Sequence, residues 1–585
     1  MIQLSGSQVS ENGGSQSALN VGLGGLSGDR FWLEVAACFL VCVSFAAVAA
    51  PDINESHYLT KARHFWNPDS CPRDLFLQST DAQWVFFFGT GWVTRFVSIA
   101  ALAWIGRVVS WMLFSASFVF MARGVRVHGI LVPAVLGMML VLIRQGNLAG
   151  EWIVGGFEAK TVAWPLVLFA IGYASRGRWS LAWCLGGIAA AIHFVVGWWA
   201  IVCLAICRLI LFSLEDPSKA TRMKITHLPG LFGSLVMGKQ PVDRMRWRLC
   251  GVIAFSLAGL MAGAFPMLLD GAGVSHEDSV SAARIQVLQR LPHHLFFGNF
   301  PASRIASFSI LVLVWWFMFA RVAKNSALRT IGMLALVTLV LDFCGLVLGG
   351  IAEGDGFWAE FSLGFLRLYW FRMADVILPL SVALMCGQLL ATWWHSGSRI
   401  HPRIAWAVVC LLLVAIGVEG ASKFGFRVPP ADAVGIAGAE IDPRRAAETT
   451  RNWRRVCDWC RANTTENSLF LTPYSQQTFH WHSERADWFS WKHAPQNAIG
   501  LIEWSRRREL LLNLQNRFGA ELPGWPDGVL KWLIEQERID YVIVLQREID
   551  RSGVPNGMKL VYPEASSMKK TFCVLKPTLA ESVSD

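Results

Sequence analysis

Long apolar runs recur along this chain, and they constrain its fold more than any other feature. About eleven windows are apolar over much of the roughly 20 residues that a helix needs to cross a bilayer. They lie at residues 31–51, 97–122, 128–143, 161–175, 179–194, 196–213, 249–269, 304–320, 330–350, 373–394 and 404–419. Because lipid offers no partners to backbone polar groups, such runs form helices. The sequence therefore predicts an α-helical polytopic membrane protein.

The composition agrees with a protein that resides in a bilayer. Hydrophobic residues make up 54% of the 585 residues and charged residues 16%, and the mean hydropathy is +0.41. A water-soluble globule of this composition would expose a very large apolar surface. The net charge of +10 resides mostly in short loops rather than in one basic stripe, so we expect no nucleic-acid partner.

The basic residues of the loops orient the helices, because Lys and Arg accumulate on the cytoplasmic side. One set of loops contains most of them: Arg123, Arg126, Arg176, Arg178, Lys219, Arg222, Lys224, Lys239, Arg244, Arg246, Arg248, Arg321, Lys324, Arg329, Arg399 and Arg403. We predict that this side is cytoplasmic, with the N-terminus inside and the C-terminal region outside. Residues 84–96 are apolar enough to span, which would invert this sidedness, and we interpret them as an interfacial helix.

The two ends of the chain differ from the membrane part. Residues 1–28 are rich in Gly and Ser, which predicts a disordered cytoplasmic tail. Residues 29–422 form the predicted transmembrane domain, whose first external loop is 52–96. Beyond residue 423, helical patterns at 446–462, 498–516 and 528–537 alternate with β-rich runs at 468–472, 541–545 and 571–575. We predict a small extracytoplasmic α/β domain at 423–585.

Four cysteines lie outside the predicted spans, namely Cys71, Cys457, Cys460 and Cys573. Cys457 and Cys460 have the spacing of metal and redox sites, but no second pair completes a zinc site. An external disulfide that involves one of the four and a purely structural role stay open as alternatives.

Acidic residues follow the first apolar run directly. Asp52 and Glu55 stand there with Asn54, His57 and Tyr58. An acidic group at this position meets the interface where lipid-linked substrates present their phosphates, and charge costs far less there than at the midplane. The pattern favours chemistry on a lipid carrier. The alternative is that the two carboxylates only cap the next helix.

The order of these features resembles the GT-C superfamily of membrane glycosyltransferases, which includes protein mannosyltransferases and lipid A aminoarabinose transferases. A first span, an acidic loop, many further spans and a C-terminal domain carry the resemblance. Four segments are most similar to an uncharacterised family of bacterial membrane proteins: 54–59 (NESHYL), 155–160 (GGFEAK), 290–295 (RLPHHL) and 369–372 (YWFR). The resemblance implies an integral protein of the bacterial inner (cytoplasmic) membrane.

The resemblance also implies an activity. GT-C enzymes move a sugar from a lipid-phosphate donor, usually polyprenyl phosphate, and an Asp after the first span removes the proton of the acceptor. Asn54 occupies the place of that Asp and cannot act as a base, so we expect Glu55 to be the base, with Asp52 in reserve. The acceptor would be an extracytoplasmic glycan, lipid or protein. Mg²⁺ or Mn²⁺ could assist the reaction, although the sequence shows no clear metal-binding site. The alternative is a non-catalytic scaffold or a lipid or solute transporter on the same fold.

Further candidate binding residues lie in the other loops of that side. The resemblance places a second acidic residue, Glu158, with Lys160 at the start of a span, and a structural carboxylate is the alternative. Arg290, Arg372 and their neighbours suit a lipid phosphate, because Arg forks match phosphate oxygens, although Arg also anchors helices at bilayer boundaries. The expected substrate-binding residues are Asn54, His57, Tyr58, Glu158, Lys160, Arg290, His293, His294 and Arg372. Aromatic residues at 477–482 and 488–492 offer a sugar platform or pack against the membrane domain.

Overall fold

The computed structural model describes residues 28–215, 245–322, 325–396, 398, 400–424, 428–436, 443–526, 528–563 and 571–578. The predicted tail, except for residue 28, lies outside this part of the chain. The same holds for the basic residues Lys219, Arg222, Lys224, Lys239, Arg244, Lys324 and Arg399.

The membrane part is built from a succession of helices. In chain order these are α1 (Asp29–Ala46), α2 (Glu55–Phe65), α3 (Trp84–Gly91), α4 (Ile99–Gly124), α5 (Leu131–Gly146), α6 (Ala159–Ala174), α7 (Trp179–Ile192), α8 (Phe194–Glu215), α9 (Met245–Gly271), α10 (His276–Arg284), α11 (Pro292–Leu295), α12 (Ala302–Val322), α13 (Ser326–Ala352), α14 (Phe357–Leu366), α15 (Ala374–Trp394) and α16 (His401–Phe424). Each predicted apolar window coincides with one of them. The predicted class, a polytopic helical membrane protein with a small C-terminal α/β domain, is confirmed.

Seven of the described segments are long and apolar enough to cross a membrane. They are Ile99–Gly124, Phe194–Leu214, Cys250–Gly271, Ala302–Arg321, Ser326–Ala352, Phe357–Trp394 and His401–Lys423, and α5, α6 and α7 are shorter apolar helices. Helix α1 completes the predicted eleven and carries Glu34, which is buried and pairs with Arg123 of α4 at 2.7 Å. Its buried stripe of Phe31, Val35 and Cys38 packs in the main core.

Helix α3 decides whether residues 84–96 span the membrane. It has eight residues and is followed by a 3₁₀ turn at Trp92–Arg95. A helix of this length extends about 12 Å, far less than the roughly 30 Å of a hydrocarbon core. It packs on α2 at Gly91, where a Cβ atom would lie only 2.7 Å from the carbonyl carbon of Ala62. The segment therefore does not span, as expected.

The C-terminal domain contains a five-stranded sheet between two helical layers. Its helices are α17 (Pro430–Ile436), α18 (Pro443–Asn463), α19 (Phe479–Ser483), α20 (Ala498–Phe518), α21 (Val529–Glu537) and α22 (Gln546–Ser552), and its strands are β1 (Leu469–Leu471), β2 (Ala486–Asp487), β3 (Tyr541–Leu545), β4 (Met558–Tyr562) and β5 (Phe572–Pro577). The strand order is β2-β1-β3-β5-β4. Strands β2, β1 and β3 are parallel, whereas β5 pairs antiparallel with β3 and β4.

Alternation along β3 explains the two layers, because successive side chains of a strand point to opposite faces. Val542 and Val544 pack in one core with residues of α20 and α21, whereas Ile543 packs in another with Trp453 of α18. The three predicted helices and three predicted strands are present. Strands β2 and β4 were not predicted, since β2 has only two residues and the side chains of β4 are mostly half-exposed.

All thirteen cysteines lie in described residues and are free thiols, so of the two alternatives the external disulfide is not formed. Cys457 and Cys460 lie in α18 and are buried in its core, and burial raises the pKa of both thiols. Thiols of this kind are unreactive, which favours the structural role.

Candidate functional site

The predicted site residues lie where four stretches of chain meet. The turn after α1 contacts the loop that precedes α6, through Asp52 and the amide of Gly156. The loop before α12 contacts the C-terminal domain through Arg290, and the C-terminal domain reaches the turn through Lys492. Long-range contacts of this kind bring together residues that the sequence separates by hundreds of positions.

Glu55 is a buried structural carboxylate. It has no exposed surface, and Arg107 donates to both of its oxygens from Nε and Nη2, each at 2.6 Å. The amides of Phe157, at 2.7 Å, and Asp52, at 2.8 Å, also donate to it. A carboxylate surrounded by these donors offers no face to an acceptor. The expectation that Glu55 is the base is therefore corrected.

Asp52 is better placed to accept a proton. It is half-buried, and its Oδ2 accepts the amide of Gly156 at 2.9 Å while Oδ1 accepts that of Ile53 at 2.8 Å. One amide on each oxygen leaves acceptor capacity on both. The close approach requires glycine at 156, because a Cβ atom there would lie 2.6 Å from Cγ of Glu55 and 2.8 Å from Cβ of Asp52.

Asn54 connects the loop before α6 with the C-terminal domain. Its Nδ2 donates to Oε1 of Glu158 at 3.3 Å, and its Oδ1 accepts from Nζ of Lys492 at 2.6 Å. Glu158 also lies 3.6 Å from Nζ of Lys160. An amide can serve a carboxylate and an ammonium at once because it is both donor and acceptor. The structure thus brings Asn54, Glu158 and Lys160 together.

Arg372 is neutralised by an acid that the sequence reading did not single out. Its Nε lies 3.0 Å from Oε2 of Glu151, and Nε1 of Trp164 donates to the other oxygen at 3.0 Å. The loop that carries Glu151 is fixed by Asp375, which accepts three of its amides. Arg372 therefore has a structural partner, and its binding of a lipid phosphate stays a prediction.

Arg290 and Lys492 form a cationic pair. Nη2 of Arg290 donates to the carbonyl of Lys492 at 3.1 Å, and its guanidinium lies 5.0 Å from the ring of Trp491. The hydrogen bonds of both side chains thus go to neutral oxygens rather than carboxylates. Nε of Arg290 is buried and has no hydrogen-bond partner among the described residues. Burial and then the charge of Arg290 lower the pKa of Lys492 to about 8.

The remaining predicted residues surround this centre. The ring of His57 lies 4.4 Å from that of Phe76, and its Nε2 is 3.4 Å from Nε2 of Gln496. Tyr58 is half-buried and meets Phe86 edge-on. His294 contacts the carbonyl of Ala149, and His293 is exposed and lies against the His294 ring. His294 thus contacts the loop that carries Glu151.

Three of the four carboxylates of the site are paired with cations, and Asp52 is the exception. Glu55 is paired with Arg107, Glu158 with Lys160, and Glu151 with Arg372. A metal would have to displace a buried cation from its partner. Across the described ranges no group of three or more His, Cys, Asp and Glu side chains is arranged to hold a metal ion.

Lys492 and Glu151 are the site residues that sequence reasoning missed. Lys492 ends the aromatic run 488–492, which suggested sugar binding or packing, and a lysine inside such a run was the available signal. Glu151 lies in the loop before Glu158, and no pattern in the sequence distinguishes it.

Comparisons with known proteins give the following. Residues 451–511 match the family described as "Domain of unknown function (DUF6798)", and none of the curated proteins matches the sequence. Among solved structures, the chain is similar to the archaeal oligosaccharyltransferase AglB from Archaeoglobus fulgidus in complex with an inhibitory peptide and a dolichol-phosphate, at 10% identity and a TM-score of 0.45, over 89% of this chain and 70% of that one. A structure of the Archaeoglobus fulgidus oligosaccharyltransferase with Zn and sulfate is similar at 10% identity and a TM-score of 0.39, over 88% and 68%.

Proposed function

We propose that the protein is a GT-C-type membrane glycosyltransferase that moves a sugar from a polyprenyl-phosphate donor to an extracytoplasmic acceptor. The observation that carries the proposal is the position of Asn54. This residue binds Lys492 of the cationic pair and is two residues from Asp52, a half-buried carboxylate with free acceptor capacity. A base and an anion site side by side, where the first helix ends, suit acceptor activation and a leaving lipid phosphate.

The reaction would be one inverting displacement. Asp52 takes the proton from a hydroxyl or amine of the acceptor, whose oxygen or nitrogen attacks the anomeric carbon of the sugar. The bond from that carbon to the phosphate oxygen breaks, and its electron pair leaves with the lipid phosphate. Arg290 and Lys492 neutralise the charge that develops on the phosphate. The proton then passes from Asp52 to solvent.

The surrounding ion pairs act as support. The carboxylate of Glu55 holds the amide of Asp52 and is itself held by Arg107. Glu158 orients Asn54, which in turn orients the ammonium of Lys492. Fixed donors near a leaving group contribute more than mobile ones, because they need no reorganisation during the reaction.

A transporter is the second candidate, and Asp342 favours it. This residue lies on the membrane helix α13, is buried, and neither of its carboxylate oxygens has a hydrogen-bond partner among the described residues. Ionisable residues inside a membrane helix often mark the path of an ion or substrate. A transporter would need Asp342 and not Asp52.

Transfer from radiolabelled polyprenyl-phosphate sugars to extracted envelope acceptors tests the proposal, with purified protein in detergent. We expect Asp52→Asn to lower turnover roughly a hundredfold or more, as loss of a general base does. The matched control is Asp69→Asn, which removes an exposed carboxylate of the same loop and should leave turnover unchanged. Equal turnover of Asp52→Asn and wild type, with Asp342→Asn inactive in cells, would favour the transporter.

Arg290→Ala and Lys492→Met test the anion site in the same assay. Both should raise the KM for the donor, by about tenfold or more if the phosphate is desolvated. Arg126→Ala is the control, since it removes an exposed arginine from the predicted cytoplasmic side. Unchanged KM values in both site variants would contradict the assignment of the phosphate.

A further inference from the structure

Asp74 is a buried carboxylate of the loop between α2 and α3, and it points into the C-terminal domain. Its Oδ1 accepts the amides of Phe76 at 3.0 Å and Leu77 at 2.8 Å, and its Oδ2 accepts the amide of Asp487 at 2.8 Å. Oδ2 also contacts Nε2 of His480. Burial opposes ionisation of Asp74, but the charge and hydrogen bond of His480 outweigh it and lower the pKa of Asp74.

The chain of contacts continues from His480 to His493. Their Nδ1 atoms are 3.1 Å apart, and both rings are almost fully buried. The ring of His493 also stacks on Phe76, with centroids 5.0 Å apart and planes inclined by 12°. A charged His480 donates through Nε2 to Asp74 and through Nδ1 to His493. His493 is thereby fixed both by the C-terminal domain and by the loop.

His493 directly follows Lys492, whose ammonium reaches Asn54 at 2.6 Å. We propose that Asp74, His480 and His493 form a latch that positions Lys492 in the anion site. The three residues are positioning residues, because they act through Lys492. The consequence for the donor rests on the proposed function, whereas the position of Lys492 does not.

Two other ion pairs between the membrane part and the C-terminal domain are more exposed than the latch. Arg63 pairs with Glu484 at 3.0 Å, and Arg73 pairs with Asp540 at 2.6 Å, but these side chains are between 23% and 46% exposed. Exposed ion pairs contribute little and are screened by salt. They keep the domains together without fixing residue 492 to within the length of a hydrogen bond. The carbonyl of Lys492 accepts from Arg290, and the buried latch adds the constraint on the neighbouring His493.

The pH dependence of acetylation of Lys492 by acetic anhydride tests the latch in the full chain, with the modified peptide quantified by mass spectrometry. In wild type the extent of acetylation should increase with pH and reach half of its maximum near pH 8. Burial and the charges of Arg290, Glu158, Lys160 and Asp52 set this midpoint. In Asp74→Asn the lysine is released into solvent, and the midpoint should rise toward the ordinary value of about 10.4. Asp69→Asn is the matched control and should keep the wild-type midpoint.

Two substitutions of His480 test its contacts with Asp74 and with His493 separately. The amide of Gln can still donate to Asp74, whereas the shorter amide of Asn can still meet His493. We expect both His480→Gln and His480→Asn to raise the midpoint, because positioning needs the whole chain. If a variant fails to give a monodisperse peak, Phe76→Leu replaces it, since that change removes the ring under His493 and leaves no buried charge unpaired. It should raise the midpoint as well.

Binding of farnesyl phosphate to the same variants separates the latch from the proposed function. We expect Asp74→Asn to weaken binding roughly tenfold and to add no further loss in the Lys492→Met background. If wild type does not bind farnesyl phosphate but the midpoint still rises in the variants, the donor assignment fails and the latch stands. If wild type binds it and the midpoint is unchanged in every latch variant, the latch is overturned.

Discussion

Arg107 donates two parallel hydrogen bonds of 2.6 Å to Glu55, and neither side chain has any surface exposed to solvent. Arg107 belongs to the membrane helix α4, and Glu55 begins α2. A third bond of Arg107 goes to the carbonyl of Val48. This pair therefore fixes the turn between α1 and α2 against the first long span, and Asp52 lies within that turn.

We predict that Glu55→Gln destabilises the fold more than it changes the chemical step. Removal of one charge leaves Arg107 buried and unpaired, which costs about 3–5 kcal/mol. Thermal unfolding in detergent, followed by tryptophan fluorescence, measures this loss. Asp52→Asn is the control and should unfold close to wild type. Normal stability together with lost turnover in Glu55→Gln would restore Glu55 as the base.

We predict that donor affinity falls as the pH rises through about 8, because Lys492 has that pKa and only its charged form attracts phosphate. The KM for the donor between pH 6.5 and 9.5 measures the effect. Lys492→Arg should keep the affinity at high pH, since guanidinium does not titrate there. A KM that rises equally in Lys492→Arg would assign the titration to another group.

We predict that chelators leave activity unchanged, since Glu55, Glu158 and Glu151 already have cationic partners and only Asp52 of the site carboxylates is left for a metal. Turnover is compared before and after dialysis against EDTA, with metal content determined by mass spectrometry. Lys160→Ala frees Glu158 and should create weak Mn²⁺ binding that electron paramagnetic resonance detects. Activity lost on dialysis and regained with Mg²⁺ or Mn²⁺ would show that the carboxylates exchange their partners for a metal.

We predict that the ion pair of Asp74 and His480 stabilises the protein most in mildly acidic solution. The pKa of Asp74 is lowered, so its contribution is present above the ordinary value of about 4 and disappears as the pH falls through the lowered value. The pKa of His480 is raised because Asp74 outweighs burial, so its contribution is complete below about 6.5 and is lost as the pH rises through the raised value. The difference in Tm between wild type and His480→Gln should therefore be largest between about pH 4 and 6.5. A difference that grows toward pH 9 would contradict the pairing.

We predict that the site and the C-terminal domain are extracytoplasmic. A reporter that is active only outside the cytoplasm should work when it is fused after Gly420 and fail when it is fused near Met237. The reason is the excess of Lys and Arg in the loops around residue 237. The reverse pattern of reporter activity would place Asp52 in the cytoplasm and remove access to a donor presented outside.

The fold was predictable from the sequence because its signal is local. A run of apolar residues specifies a membrane helix wherever the rest of the chain lies, and the β-branched run of β3 specifies a strand. The short strand β2 carries no such signal, since Ala486 and Asp487 pair only because β1 is beside them. The site turn was found for the same reason, as it directly follows an apolar run.

The roles within the site were not predictable, because they depend on distant partners. Nothing near Glu55 in the sequence indicates that Arg107, 52 positions later, occupies its carboxylate. Arg372 and Glu151 pair across an even longer separation. A carboxylate is a base or a support according to which cation reaches it, and three-dimensional packing decides that. Asp52 is the better-placed candidate base because Arg107 encloses Glu55.

The bond between Lys492 and Asn54 sets an order of events during synthesis. Lys492 follows Asn54 by 438 residues, and a ribosome adds roughly 5–20 residues each second. Lys492 is therefore synthesised on the order of 20 to 90 s after Asn54. During that interval Asp52 can be in place, but the anion site has only Arg290 at most. The contacts of Asn54 are therefore incomplete until the C-terminal domain has been synthesised and docks.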